Sequence, residues 1–116
     1  MESIHLIIEL FECDENKIKE IKPVKEIMDS VLLVSGMEKI FDFYHQFEPY
    51  GVSGVCLVKQ SHISIHTWPE KKYAAMDIYT CGDAEKAREA CKKAIELFNS
   101  KKWDVKEIKR GVVEKE

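Results

Sequence analysis

The sequence predicts an α+β fold, a two-layer sandwich in which two helices cover one face of a mostly antiparallel sheet. Three observations predict it. Two stretches, residues 23–36 and 84–99, repeat apolar residues at three- and four-residue steps, the pattern of amphipathic helices. Residues 4–12, 61–66 and 73–82 instead read as extended segments, the clearest alternation of side chains falling at 61–66. The order strand, helix, strands, hairpin, helix, strand segregates the helices to one layer.

In the first strand Leu6, Ile8 and Leu10 share one side, and His5, Ile7 and Glu9 the other. Residues 13–16 make a polar turn in which Asp14 can cap a short helical turn through Ile18. Pro23 opens the first helix, where its missing N–H is not needed. Val24, Ile27, Met28, Val31 and Leu32 form its apolar stripe, and Gly36 closes it. From residue 39 to 48 aromatic and polar groups alternate, so Phe41, Phe43 and His45 share a face with Phe47. That stripe reads as core, except for Phe47, which borders the break at 49–51 and can stack on a planar ligand. Residues 51–54 (G-V-S-G) read as a turn, and 55–58 (V-C-L-V) as a buried strand.

From Ser61 to His66 the chain alternates again, with Ser61, Ile63 and Ile65 on one face and His62, Ser64 and His66 on the other. Pro69 and the pair Lys71-Lys72 break the run, and a second strand extends from Tyr73 to Cys81 and Gly82. Folded as a hairpin, these strands bring Cys81 towards Ser61, giving one compact site with a hydroxyl, an imidazole and a thiol. Asp83 then caps the second helix, whose stripe is Ala84, Ala87, Cys91, Ala94, Ile95 and Phe98. Residues 103–113 make the last strand, and the final Glu-Lys-Glu is expected to fray.

At 116 residues the chain is a single domain, small enough to gain stability by pairing with a copy of itself. A net charge of −3 gives no basic footprint for nucleic acid. No apolar run approaches the roughly 20 residues that span a bilayer, and M-E-S-I-H lacks the basic start of a signal peptide. A cytoplasmic protein with no membrane partner is expected. The cysteines at 13, 56, 81 and 91 form no C-x-x-C pair. Cys56 and Cys91 read as small core residues, whereas Cys81 ends a strand beside Gly82.

No metal site is expected, because His62 and His66 lie roughly 13 Å apart on one strand and H-E-x-x-H is absent. Nor is Ser53 a hydrolase nucleophile, since G-V-S-G is not the G-x-S-x-G elbow; it reads as a satisfied polar turn.

Four blocks carry a resemblance: H-L-I-I-E-L-F-E-C-D at 5–14, F-E-P-Y-G-V-S-G at 47–54, S-H-I-S-I-H-T-W-P-E at 61–70 and Y-A-A-M-D-I-Y-T-C-G at 73–82. In order and spacing they resemble the prokaryotic S-adenosylmethionine decarboxylase family over nearly the whole chain. The resemblance implies an inactive proenzyme that cuts itself between Gln60 and Ser61 into a β chain (1–60) and an α chain (61–116). The Ser61 hydroxyl attacks the Gln60 carbonyl, the resulting ester eliminates, and residue 61 becomes a pyruvoyl cofactor, with His66 as the acid/base of processing. The pyruvoyl forms a Schiff base with the amine of S-adenosylmethionine and serves as electron sink for decarboxylation, in the service of spermidine biosynthesis. By the same mapping Cys81 is the proton donor, Phe47 and Trp68 flank the adenine, and Glu70 holds the ribose. A thiol, with an ordinary pKa of about 8.5, is mostly protonated at neutral pH and suits that task. A homodimer of processed protomers with shared sites is implied as well.

The sequence departs from the family pattern at Gln60, where glutamate is usual, and at Ser3-Ile4, where glycine and a basic residue are usual. Cleavage uses the carbonyl of residue 60, not its side chain, so it is expected to survive. Two alternatives stay open: a decarboxylase of arginine or ornithine, and an uncleaved homologue acting as a binding or partner subunit.

Overall fold

The fold is that of a computed structural model describing residues 3–59 and 61–111. Among the described residues the elements run β1 (Ser3–Phe11), a 3-10 turn (Glu15–Lys17), α1 (Ile21–Ser35), β2 (Lys39–Gln46) and β3 (Val52–Val58). There follow β4 (Ser61–Trp68), a second 3-10 turn (Pro69–Lys71), β5 (Tyr73–Thr80), α2 (Ala84–Leu97) and β6 (Lys102–Arg110). The six strands form one antiparallel sheet in the order β2-β3-β4-β5-β1-β6. Both helices pack on one face, so the α+β two-layer sandwich expected from the sequence is the fold observed.

Alternation decides what the helices cover. Leu6, Ile8 and Leu10 of β1, Ile63 and Ile65 of β4, and Met76 and Ile78 of β5 all point to the helix layer and are buried. They meet Val24, Ile27, Met28, Val31 and Leu32 of α1 and Ala87, Cys91, Ala94 and Phe98 of the α2 segment, the stripes read from the sequence. Small residues on α2 let that helix lie close to α1 and the sheet. The caps follow the sequence too. Asp83 accepts hydrogen bonds from the amides of Glu85 and Lys86, and Gly36 closes α1 in the left-handed region at φ 72°. Helix α1 starts at Ile21, so Pro23 is its third residue rather than its first, still within the turn whose amides lack helical partners.

The aromatic stripe on β2 is not core, against the sequence expectation. Phe41 and Phe43 are 57 % and 59 % exposed. The helix-facing positions of this edge strand are Asp42, which accepts from Lys25 of α1 at 2.7 Å, and Gln46, which accepts the Ile21 amide at 3.0 Å. Tyr44 faces the same way, and its ring fills the space that a side chain at Gly54 would need. The phenylalanines therefore turn to the opposite, uncovered face of the sheet. Val55 and Leu57 join them there, so the 55–58 run is buried only at Cys56 and Val58. Residues 51–54 are also not a simple turn, because β3 begins at Val52. Gln60, Val112, Val113 and the Glu-Lys-Glu end lie outside the described residues.

Candidate active site

Strand β4 carries two clusters, one at each end. At its start Ser61 is 9 % exposed, and its hydroxyl donates to the sulfur of Met37 at 3.2 Å. The β4–β5 hairpin, turned by Pro69 and by Lys72 at φ 52°, brings the end of β5 alongside. Cys81 follows directly, so Ser61 and Cys81 line one cavity of about 250 Å³ together with Met37, Lys59 and Thr80. The Thr80 hydroxyl oxygen accepts the Gly82 amide at 2.8 Å, which tightens the turn holding Cys81. The expected approach of thiol and serine is thus observed. The other three thiols belong to the core: burial pushes Cys13 and Cys91 up to about 11 and raises Cys56 as well.

At the far end of β4, His66 accompanies a different set. Its Nδ1 is 2.7 Å from the hydroxyl of Ser53 on β3, so Ser53 is a strand residue tied to His66 rather than part of a polar turn. Phe47, Trp68 and Glu70 line the adjoining cavity of about 500 Å³ together with Ser53 and His66. His45 meets Phe47 edge-on at 4.6 Å. This is an open slot lined by three aromatic rings, those of Phe47, Tyr50 and Trp68, with an imidazole and a carboxylate.

Within one chain the two clusters do not meet. His66 is five residues along the strand from Ser61, roughly 16 Å at 3.3 Å per residue, and it points to the other face. The single compact site of hydroxyl, imidazole and thiol is therefore corrected: hydroxyl and thiol converge, and the imidazole stands with the aromatic slot.

A third group occupies the uncovered face behind Ser61. His5 Nε2 and His62 Nε2 lie 2.6 and 3.1 Å from the same oxygen of Asp77, whose other oxygen accepts from Ser64. Arg110 lies 3.1 Å from His5 Nδ1, and a guanidinium only donates. Nδ1 therefore accepts, and Nε2 carries the proton given to Asp77. A metal-bound histidine instead donates outward from its second nitrogen, so this polarity suits a hydrogen-bonded cluster. Burial works to raise the Asp77 carboxyl, but the hydrogen bonds from Ser64, His5 and His62 outweigh it and hold it below the usual carboxylate range. A carboxyl lowered by folding stabilises the protein above its unfolded pKa and loses that contribution as pH falls through its folded pKa. Asp77→Asn is thus expected to lower Tm at pH 5 to 8, and the difference from wild type should close below a pH of about 4. Thermal melts of both proteins from pH 8 down into the acid range check it; a gap that does not begin to narrow as pH falls below about 4 contradicts the assignment.

A family model described as S-adenosylmethionine decarboxylase matches residues 4–111. The chain belongs to the S-adenosylmethionine decarboxylase family. It is similar to the S-adenosylmethionine decarboxylase proenzyme of Aquifex aeolicus, at 40 % identity over 113 residues covering 97 % of this chain and 84 % of the relative. The proenzyme of Pyrococcus furiosus is 41 % identical over 112 residues, covering 97 % of this chain and 81 % of that one. The crystal structure of the Aquifex adenosylmethionine decarboxylase superposes with a TM-score of 0.92 at 38 % identity, covering 98 % of this chain and 94 % of that chain. The Trypanosoma brucei AdoMetDC-delta26 monomer, at 17 % identity and a TM-score of 0.61, covers 88 % of this chain and 44 % of that one and shows the shared fold alone. The family resemblance read from the sequence is borne out. Among the described residues no helix is long and apolar enough to cross a membrane.

Proposed function

We propose that this chain is a proenzyme of S-adenosylmethionine decarboxylase that cuts itself before Ser61 and works as a homodimer with composite sites. The observation that carries the proposal is the convergence of Ser61 and Cys81, from different strands, on one cavity in a chain of this family. A pyruvoyl group generated at position 61 would supply the carbonyl that takes up the substrate amine and the electrons freed as CO₂ leaves. The cavity of about 250 Å³ beside Ser61 has room for the amino-acid end of a substrate, and Cys81 contributes the thiol that lines it. Cys81 holds the proton that replaces the lost carboxylate. Thr80, through its bond to the Gly82 amide, keeps the turn that presents the thiol.

The slot at the other end of β4 holds the nucleoside. Phe47 and Trp68 offer two faces for the adenine, attractive also to a sulfonium cation, and Glu70 accepts from the ribose hydroxyls. His66, its ring fixed by Ser53, moves protons during processing.

One substrate cannot reach both ends within a single chain. Two copies packed with their uncovered faces together and their strands opposed bring the Ser61 end of one beside the His66 end of the other. Phe41, Phe43, Val55 and Leu57 on that face give the apolar contact such a dimer needs. A cytoplasmic location accords with the absence of a membrane-spanning helix among the described residues.

Mass spectrometry of the purified protein, with CO₂ release from carboxyl-labelled substrates, tests the reading. Two pieces of 60 and 56 residues, together making the 116 of the chain, and CO₂ from S-adenosylmethionine are expected. CO₂ from arginine or ornithine instead would reassign the substrate, and an intact, inactive chain would make it a partner subunit.

A further inference from the structure

We infer that Tyr73 is a positioning residue of the nucleoside slot, a backing plate that holds the plane of Trp68 for the purine. The inference rests on the proposed role of the slot and concerns a residue outside it. Trp68, Tyr73 and Phe11 occupy one row across β4, β5 and β1 on the uncovered face, and Lys102 of β6 ends the row. The rings are stacked: Trp68 on Tyr73 at 5.3 Å and 27°, and Tyr73 on Phe11 at 5.4 Å and 22°. The Lys102 ammonium stands 6.0 Å from the centre of the Phe11 ring.

Tyr73 approaches Trp68 from the β5 side, whereas Gly51, Ser53 and Phe47 lie on the β3 side, around the cavity of about 500 Å³. One face of the indole is thus covered by Tyr73 and the other is turned to the slot. Phe47, which lines the same cavity, has its own support in the edge-on ring of His45. Tyr73 is itself pinned, because its hydroxyl donates to Glu9 of β1. Burial and that carboxylate push the phenol up to about 12, so it stays a donor at every pH the enzyme meets. A strand-end indole that is 41 % exposed would otherwise sample several rotamers, and a ligand would have to select one. A backed indole has already lost that freedom, which lowers the entropy cost of binding. The effect falls on affinity for the planar base, because Tyr73 touches the indole and does not itself line the cavity where Phe47, Trp68 and Glu70 stand.

The test uses a Trp103→Phe background, in which Trp68 is the sole tryptophan, since the chain has two. Adenosine is titrated against Trp68 fluorescence, and kcat and KM are measured for S-adenosylmethionine. In that background adenosine is expected to quench Trp68. Tyr73→Phe, which keeps the stack, should leave Kd within about twofold. Tyr73→Leu should raise both Kd and KM about five- to tenfold, with kcat and self-cleavage within about twofold. Phe11→Leu, one layer further out, should give a smaller shift in the same direction, and it serves in place of Tyr73→Leu if that variant does not fold. Unchanged Kd in the folded leucine variants, with quenching intact, overturns the role of Tyr73 and leaves the slot standing. A loss in kcat alone overturns it equally. Absence of any quenching before Tyr73 is altered removes Trp68 from the slot, and the inference with it.

Discussion

Ser61→Ala is expected to accumulate as an intact chain of 116 residues with no decarboxylase activity. The substitution removes one oxygen from a position that is nearly buried, facing the helix layer at the start of β4. Among the described residues its hydroxyl donates to the weakly accepting sulfur of Met37, so no strong acceptor is left stranded. The antiparallel pairing of β4 with β3 and β5 runs through backbone groups that alanine retains. Stability should therefore change by no more than about 1 kcal/mol, while the nucleophile of processing is gone. Intact mass, near-ultraviolet dichroism and CO₂ release read the three parts separately. A folded variant that still appears as two pieces moves the cleavage site elsewhere.

Cys81→Ala separates processing from turnover. Ser61 is untouched, so the variant is expected to cleave, but turnover of S-adenosylmethionine should fall about 10²-fold, the scale for loss of a general acid. Residue 61 of the mature α chain should also convert progressively to alanine by amine transfer, a mass change visible during the assay. A small core cysteine would instead cost about 1 kcal/mol of stability and leave turnover alone. The division of β4 adds a second arm. Once processed, Cys81→Ala lacks one half of a composite site and a Trp68→Ala/Glu70→Ala chain lacks the other half. Random pairing makes half of the dimers mixed, each with one complete site of two, so co-expression should restore about a quarter of wild-type activity. No recovery in dimers shown to be mixed would confine each site to one protomer.

The sequence disclosed what depends on local pattern. The turn at Pro69 and the strict alternation from Ser61 to His66 were enough to carry Cys81 back to Ser61, and the three- and four-residue apolar steps gave the faces of both helices. The alternation also placed His66 on the opposite face from Ser61, and strand length alone puts it far away. What local pattern does not contain is the surface against which a face is closed. Phe41 and Phe43 have the composition of core, yet the helices cover the other side of β2, where Lys25 and Ile21 bond to Asp42 and Gln46. The group around Asp77 and the stack behind Trp68 depend on the register between β1, β5 and β4, strands far apart in sequence, and no periodicity within one strand reports register. Ser53 was visible as a residue and hidden as a partner for the same reason.

The strand order has a further consequence for molecularity. A cut between residues 60 and 61 leaves β1, α1, β2 and β3 on one piece and β4, β5, α2 and β6 on the other. Because β1 lies between β5 and β6, the pieces are interleaved through three ladders, β3 with β4, β5 with β1 and β1 with β6. They cannot part without dismantling the sheet, so the cut protein should remain one object through purification and melt as one. The return journey differs. An uncut chain regains its sheet in a first-order process, its halves held at a high effective concentration by their own covalent link. The cut protein must bring two separate chains together, so its refolding becomes second-order and fails on dilution. Maturation thereby makes the fold a product of history: reached once as a single chain, and recovered afterwards only where the pieces are concentrated enough to find each other.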